Sequence, residues 1–254
     1  MDLKVVAGDL YCALGLEQKA VGVRFIQAQE EFDSLEVAQI KGRLKYCAMV
    51  KKAAEGRSFK AGPENFGCGG AVNALGIGDK VDLSLANYMK LGLYANEGVA
   101  AQAMEDVTKI KQHIYGVLLM PLEQCIKIPD VVIMLANSYQ AMRVLQGYTY
   151  HHGVIKQVHL SGNQAFCSEC TATPYIHQEV NISVLCSGTR FIARWDDHQM
   201  AIGVPTCQME AVVDGILKTM NKTEPDEKKA EIRLRAEKQN RKYLLENKAA
   251  YYYE

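Results

Sequence analysis

The sequence has no excess of charge of either sign and no long apolar run. Its 254 residues carry 29 Lys and Arg against 29 Asp and Glu, so the formal net charge is zero. This balance excludes an obviously basic nucleic-acid-binding protein and a polyanionic disordered chain. No stretch approaches the roughly 20 apolar residues of a membrane span, and the N-terminus lacks the pattern of a secretory signal. We therefore expect a cytoplasmic protein with no nucleic-acid or membrane partner.

Several catalytic motifs are also absent from the sequence. There is no phosphate-binding Gly-Lys-Ser/Thr, no Gly-x-Ser-x-Gly and no His-Glu-x-x-His. The short stretch Gly76-Ile77-Gly78 lacks the third glycine and the preceding strand of a dinucleotide-binding turn. These absences exclude the common hydrolases and metalloproteases and argue against a nucleotide-binding protein.

The composition is that of a globular protein, with 48% hydrophobic and 23% charged residues. Short apolar runs at 21–25, 117–120, 131–135, 182–185 and 201–204 predict strands, and apolar residues at helical spacing over 99–110 and 209–220 predict helices. Asn137 and Gln140 have the spacing of a helix-capping pair. We expect an α+β fold, with a mixed sheet and flanking helices, over residues 1–221. Residues 222–254, with nine basic and seven acidic side chains, predict a charged C-terminal helical tail.

Cysteine is more abundant than usual, with eight in the chain. A reducing cytosol disfavours disulfides, so thiols that bind metal, react or fill the core are the better interpretations. Cys68 lies between glycines that allow close approach of a ligand, although the same pattern suits a tight turn. Cys47 follows Arg43 and Lys45, which would lower its pKa if they lie near it. Cys186 follows an apolar run, in a position where loops display functional groups.

Cys167 and Cys170 form the one CxxC motif of the chain. Two intervening residues bring two sulfurs within reach of one metal or of one disulfide. A zinc ribbon needs a second such pair, which the sequence lacks. Thioredoxin-like redox motifs begin a long helix, whereas Pro174 permits only a short one here. Neither of these two specific interpretations is favoured by the motif.

The order of short sequence blocks resembles the bacterial and archaeal family known as domain of unknown function 169. The blocks are Val-Gly-Val-Arg-Phe at 21–25, Tyr-Cys at 46–47, Ala-Ala-Glu-Gly at 53–56, Cys-Gly-Gly-Ala at 68–71, Leu-Gly at 75–76, Met-Pro-Leu-Glu at 120–123, Pro-Asp-Val-Val at 129–132, Gln-Ala-Met at 140–142, Cys170 with Pro174, Cys-Ser-Gly-Thr-Arg at 186–190 and Ile-Gly-Val-Pro at 202–205. The resemblance runs from about residue 20 to about residue 217. It implies a domain extent and no assigned activity.

The resemblance also selects cysteines, because its blocks contain five of the eight and exclude Cys12, Cys125 and Cys207, which we expect to be buried. One thiol from each of four segments would supply the ligands of an iron–sulfur cluster, of the 4Fe–4S type, or of zinc as the less favoured metal. The expected ligands are Cys47, Cys68, Cys170 and Cys186, with Cys167 as the alternative to Cys170. Such a protein would serve redox or reductive chemistry in an anaerobic type of metabolism, with a redox partner protein.

Other functions remain open at this stage. One is a small-molecule binding or carrier module with structural cysteines, its pocket formed by the 67–70 loop, Asn137, Gln140 and Arg190. Another is a thiol-dependent enzyme with Cys68 or Cys186 as the nucleophile. A third is a mixed histidine and aspartate site with Arg190 or Arg194, although surface histidines are the more common case. The tail helix and the closing residues 251–253 favour a homodimer.

Overall fold

A computed structural model describes residues 1–78, 84–220 and 224–246 of the chain. Within these ranges the chain forms six strands, which we number in chain order. They are β1 (Val21–Ile26), β2 (Phe59–Ala61), β3 (Gly116–Pro121), β4 (Val131–Ala136), β5 (Asn181–Ser183) and β6 (Met200–Pro205).

The same ranges contain eleven α-helices and two π-helical segments. The α-helices are α1 (Leu3–Leu14), α2 (Gln29–Ser34), α3 (Tyr46–Ala54), α4 (Gly69–Leu75), α5 (Leu85–Met89), α6 (Glu97–Asp106), α7 (Ser138–His152), α8 (Thr173–His177), α9 (Met209–Lys218), α10 (Asp226–Lys238) and α11 (Tyr243–Glu246). The first π segment is Ala165–Ala172 and the second is Gly188–Ile192. None of the described helices has the length and apolar character that a membrane crossing requires.

The six strands form one sheet in the order β2-β3-β1-β4-β6-β5. Every pair of neighbouring strands is antiparallel. In the centre, Val21 of β1 lies opposite Pro121 of β3 on one side and Ile133 of β4 on the other. The expected α+β class, with helices flanking the sheet and a charged C-terminal helix, is confirmed.

Both faces of the sheet are covered, which explains why its central strands are continuous apolar runs. Side chains alternate across a strand, so Val131 and Ile133 of β4 enter a core with α3, α4 and the first π segment. Val132 and Met134 enter a second core, with α1, α7 and α9. Every residue of β3 and β4 is therefore buried. The sheet separates two helical layers, and the cysteines of interest belong to the first.

Helix boundaries follow local sequence signals in some places and not in others. The cap predicted for α7 is confirmed, because the side chains of Asn137 and Gln140 each accept a hydrogen bond, at 2.9 Å, from the N–H of the other. Helix α6 ends at Asp106, short of the apolar Val107 and Ile110 that continue its spacing. The three-residue strand β2 was not predicted from the sequence.

The charged tail packs on the N-terminal helix. Arg235 of α10 donates to the carbonyl oxygen of Cys12 at the end of α1, at 2.7 Å, and Ala236 is fully buried against this helix. Arg235 also donates to the carbonyl oxygen of Ala13. It thus covers two carbonyl groups that the last turn of a helix leaves without a partner.

The predicted boundary at residue 221 and the tyrosines at 251–253 lie outside the described residues.

The first π segment lies directly on strand β6. A Cβ atom at Gly203 would stand 2.2 Å from the carbonyl oxygen of Cys170 and 2.7 Å from the ring of Pro174. Only glycine permits this approach of one backbone to another. The absence of a side chain at position 203 thus sets the height of the π segment above the sheet.

Replacing Gly203 by alanine is expected to destabilise the protein by about 1–3 kcal/mol, because the new methyl group must push the backbone of the π segment away. The free energy of unfolding in urea measures the loss. Gly70→Ala is the matched control, since its methyl group would meet its nearest neighbours, Cys68 and Gln164, at 3.8 Å. Equal stability of the two variants would contradict the close-contact explanation.

Candidate functional site

Cys47 and Cys68 are brought together by a pair of backbone hydrogen bonds. Leu44 donates to the carbonyl oxygen of Asn65 and accepts from the N–H of Gly67, both at 2.8 Å. The two segments therefore run side by side just before their helices start. Cys47 is the second residue of α3, and Cys68 is the residue that precedes α4. Both residues thus lie at helix N-termini.

Cys167 and Cys186 come from the two π segments and their approaches. Cys167 is the third residue of the first π segment. Cys186 precedes the second one, and its Sγ lies 3.2 Å from the hydroxyl of Thr189. The guanidinium of Arg190 holds this loop by donating to the carbonyl oxygens of Val184 and Asp196, at 2.8 and 2.6 Å. π-Helical turns are rare and occur frequently at functional sites.

Cys47, Cys68, Cys167 and Cys186 converge, and we refer to them as the cysteine cluster. The pKa of Cys47 is raised to about 11, mainly by burial and next by the nearby thiols of Cys186 and Cys68. Burial also raises the pKa of Cys167, and the other three thiols of the cluster act on it in the same direction. Each thiol is therefore close enough for its charge to be felt by another. Four sequence segments thus contribute one thiol each to one neighbourhood.

Cys170 lies apart from the cysteine cluster although it is only three residues from Cys167. It is fully buried, and its pKa is raised mainly by burial and next by the charge of Glu169. The groups that act in the opposite direction are the Ser183 side chain and the backbone of Gly203, both from the sheet. The sequence placed Cys170 first and Cys167 as the alternative, whereas the structure brings Cys167 to the other three thiols and Cys170 to the sheet.

Aromatic side chains wall the cysteine cluster. The rings of Tyr46 and Phe66 stack with centroids 6.3 Å apart, and Phe166 packs on Trp195 at 5.4 Å. All four rings belong to the same core as Cys167, and the other three cluster cysteines pack against that core while remaining partly exposed. The thiols therefore lie in an apolar setting, and those of Cys47, Cys68 and Cys186 are partly exposed to solvent.

One buried amide touches the cysteine cluster, and sequence reasoning missed it. The Oε1 atom of Gln164 lies 3.9 Å from the sulfur of Cys167, and its Nε2 donates to the hydroxyl of Tyr88. The thiols of Cys167 and Cys68 in turn contribute to the raised pKa of Tyr88. No local pattern marks Gln164 or Tyr88, because they are 76 residues apart and meet only through the fold.

The cations expected beside Cys47 have less effect than the sequence predicted. Lys45 does lower the pKa of Cys47, but it is the smallest of the contributions, and the pKa rises because burial dominates. Arg43 instead donates to the carbonyl oxygen of Phe66, at 3.3 and 3.4 Å. The pKa of Cys47 is raised overall, because desolvation opposes the charged thiolate more than one lysine supports it.

The described residues hold no group of three or more His, Cys, Asp or Glu side chains that could hold a metal ion. In a tetrahedral zinc site the sulfurs lie about 3.8 Å apart, as follows from Zn–S bonds of about 2.3 Å. The ligands of a polynuclear cluster are farther apart, because each binds a different metal atom. The chemistry of the donor set, four thiols at an apolar core, fits such a cluster.

The remaining cysteines have separate surroundings. Cys12 is buried under α10, and Cys125 is partly buried, with its thiol 3.5 Å from the carbonyl oxygen of Pro121. Cys207 is exposed, with its thiol 3.4 Å from the side chain of Gln178. The expectation that all three are buried was therefore wrong for Cys207, which follows directly after the last strand.

The residues of the alternative sites are dispersed. Gln140 caps α7 and donates to the carbonyl oxygens of Leu14 and Gly15. The histidines do not gather around a metal: His151 pairs with Asp214 at 2.7 Å, and His159 stacks on His177. Arg190 serves the backbone of its own loop. Of the residues suggested for a small-molecule pocket, Asn137 and Gln140 line one cavity, whereas the 67–70 loop and Arg190 are not among its lining residues.

Comparison with known proteins identifies the family. The model of domain of unknown function 169, described as uncharacterised ArCR, matches residues 9–215. The chain belongs to this family. It is similar to the uncharacterised protein MJ0308 of Methanocaldococcus jannaschii, with 26% identity over 206 residues, which cover 79% of this chain and 88% of the relative. No solved structure matches the chain. All four cysteines of the cluster lie within the part that matches the family model.

The raised pKa of Cys47 predicts a pH-dependent stability for the metal-free protein. Between the ordinary value of 9 and about 11, the folded protein keeps a proton that the unfolded chain has lost. The free energy of unfolding therefore falls as the pH rises through this window, and below it both states hold the proton. The loss that belongs to Cys47 is at most about 1.4 kcal/mol per pH unit, and partial exposure reduces it.

Urea unfolding with a reductant, at about pH 8 and about pH 10.5, measures this loss. Cys47→Ser is expected to lose less stability between the two pH values than the wild type does. Cys125→Ser, outside the cluster, should show the same reduced loss, because burial raises the pKa of Cys125 to about 12. Identical losses in all three proteins would show that these thiols do not retain their protons.

Proposed function

We propose that the protein holds an iron–sulfur cluster, of the 4Fe–4S type, on Cys47, Cys68, Cys167 and Cys186. The observation that supports this proposal is the convergence of four thiols from four segments into one partly buried, aromatic-walled neighbourhood. Soft thiolates select iron–sulfur clusters and zinc over other metals. A redox or reductive role in an oxygen-sensitive metabolism follows from this cofactor.

A bound cluster supplies one-electron transfer, and its potential depends on the hydrogen bonds and the exposure of its sulfur ligands. The chain's own residues meet these requirements in three ways. The backbone N–H groups of Ala48 and Ser168 act to lower the pKa of Cys47 and of Cys167, and so favour their thiolates. The rings of Phe166 and Trp195 exclude water from one side. The partial exposure of Cys47, Cys68 and Cys186 leaves a side from which a redox partner protein can exchange electrons.

Loading the site must release protons. The pKa values of Cys47 and Cys167 lie above neutrality in the metal-free protein, so their thiols are protonated there. A cysteine that binds metal does so as the thiolate. Affinity for metal therefore rises with pH, and the like charges that oppose ionisation of neighbouring thiols are compensated once the metal is bound.

Two cysteines of the CxxC motif provide a matched test of the proposal. Anaerobic reconstitution of the wild type with iron and sulfide is expected to give visible absorption and about four irons per chain. Cys170→Ser should retain both, because its thiol faces the sheet. Cys167→Ser should lose most of the iron and colour. Iron and zinc analysis, with absorption and electron paramagnetic resonance spectra, gives the readout.

Further variants guard against loss of folding. Cys68→Ser removes a ligand that is partly exposed, so it should lose the cluster and keep a native circular dichroism spectrum, whereas Cys207→Ser should behave as the wild type. A brown Cys167→Ser protein beside a colourless, folded Cys170→Ser protein would overturn the ligand assignment. A wild type that takes up zinc alone, or no metal, would overturn the iron–sulfur proposal.

A further inference from the structure

A polar cavity of about 480 Å³ shares two elements with the cysteine cluster. Its walls include Lys51 of α3, one helical turn after Cys47, and Arg194, in the loop that follows the second π segment. Asn137 at the start of α7 and Glu17 line the other side. This volume falls in the range of small-molecule sites. None of these side chains belongs to the proposed iron–sulfur site.

Lys51 is fixed in place with a donor to spare. Its ammonium donates to the carbonyl oxygens of Ala193 and Arg194, at 3.1 and 2.7 Å, and lies 5.2 Å from the centre of the Trp195 ring. An ammonium group has three N–H donors. Within the described part of the chain, two of them have hydrogen-bond partners and the third has none. Lys51 is thus preorganised to meet an acceptor.

Arg194 has a strained backbone and an unengaged side chain. Its φ of 56° lies in the left-handed region, which is costly for a residue other than glycine, and its carbonyl is held there by Lys51. Such strain is found at functional sites. Among the described residues the guanidinium has neither a hydrogen bond nor an ion pair. A guanidinium and an ammonium that line one cavity together form a receptor for a carboxylate.

The remaining walls limit the charge of the ligand. The N-terminus of the 15-residue helix α7 adds positive potential at Asn137, whereas the carboxylates of Glu17 and Asp196 also line the cavity. A polyanion would be repelled by these two acids. A ligand with one carboxylate and one hydrogen-bond donor would match both the cationic and the acidic side chains of the cavity.

We propose that this cavity binds a small organic carboxylate that carries a hydroxyl or amino group. Lys51 and Arg194 hold its carboxylate, and Glu17 accepts from its donor group. The proposal does not depend on the iron–sulfur cluster, because it rests on side chains outside the cysteine cluster and is tested on metal-free protein.

Calorimetric titration of the reduced, metal-free protein at low salt tests the proposal, with lactate, glycerate and serine as probes. At least one should bind saturably, and propionate, which lacks the donor group, should bind several-fold more weakly than that probe. Trp195 is the chain's one tryptophan, so its fluorescence should change over the same concentration range when Lys51 engages the ligand. Inorganic phosphate should not compete.

Charge-removing variants complete the test. Lys51→Met and Arg194→Gln are each expected to weaken binding at least tenfold. Arg194→Gln alters an exposed side chain and therefore keeps the fold. Lys52→Met is the matched control, because this neighbour on the same helix lines a different cavity, and it should bind as the wild type does. No saturable binding of the three probes, equal binding by all variants, or preference for phosphate would overturn the proposal.

Discussion

The buried carboxylate of Glu169 is the interaction on which the arrangement of the cysteine cluster depends. One of its oxygens accepts from the N–H and hydroxyl of Ser161, at 2.7 and 2.8 Å, and from the N–H of Gly162, at 3.0 Å. The other accepts from the hydroxyl of Ser183 on β5. A buried charge is tolerated only when it is hydrogen-bonded in this way. Because these donors are fixed to the sheet and to a turn, they fix the rotation of the first π segment.

That rotation separates the two cysteines of the CxxC motif. In an α-helix, residues three apart share a face, so the spacing alone suggests that Cys167 and Cys170 act together. The wider turn of a π segment moves them apart. Glu169 and Gly203 then direct Cys170 to the sheet and leave Cys167 facing α3 and α4. The hydrogen bonds of one glutamate thus decide which thiol belongs to the cluster.

These contacts show which features a sequence can reveal. The central strands were predictable because a sheet covered on both faces produces apolar runs, and α7 was predictable because its cap uses only Asn137 and Gln140. The choice of Cys167 was not predictable, since it depends on Ser183 and other distant partners of Glu169. Likewise β2 is too short for its pattern to stand out, and α6 ends at Asp106 although its apolar spacing continues to Val107 and Ile110.

The cysteine cluster and the polar cavity are built on the same two elements of the fold. Helix α3 carries Cys47 and Lys51, and one loop carries Cys186 and Arg194. The two elements are joined by the hydrogen bonds from Lys51 to this loop. A ligand that altered these hydrogen bonds would change the free energy of bringing Cys47 and Cys186 together. By linkage, a group bound to the four thiols would then change the affinity of the cavity by the same factor.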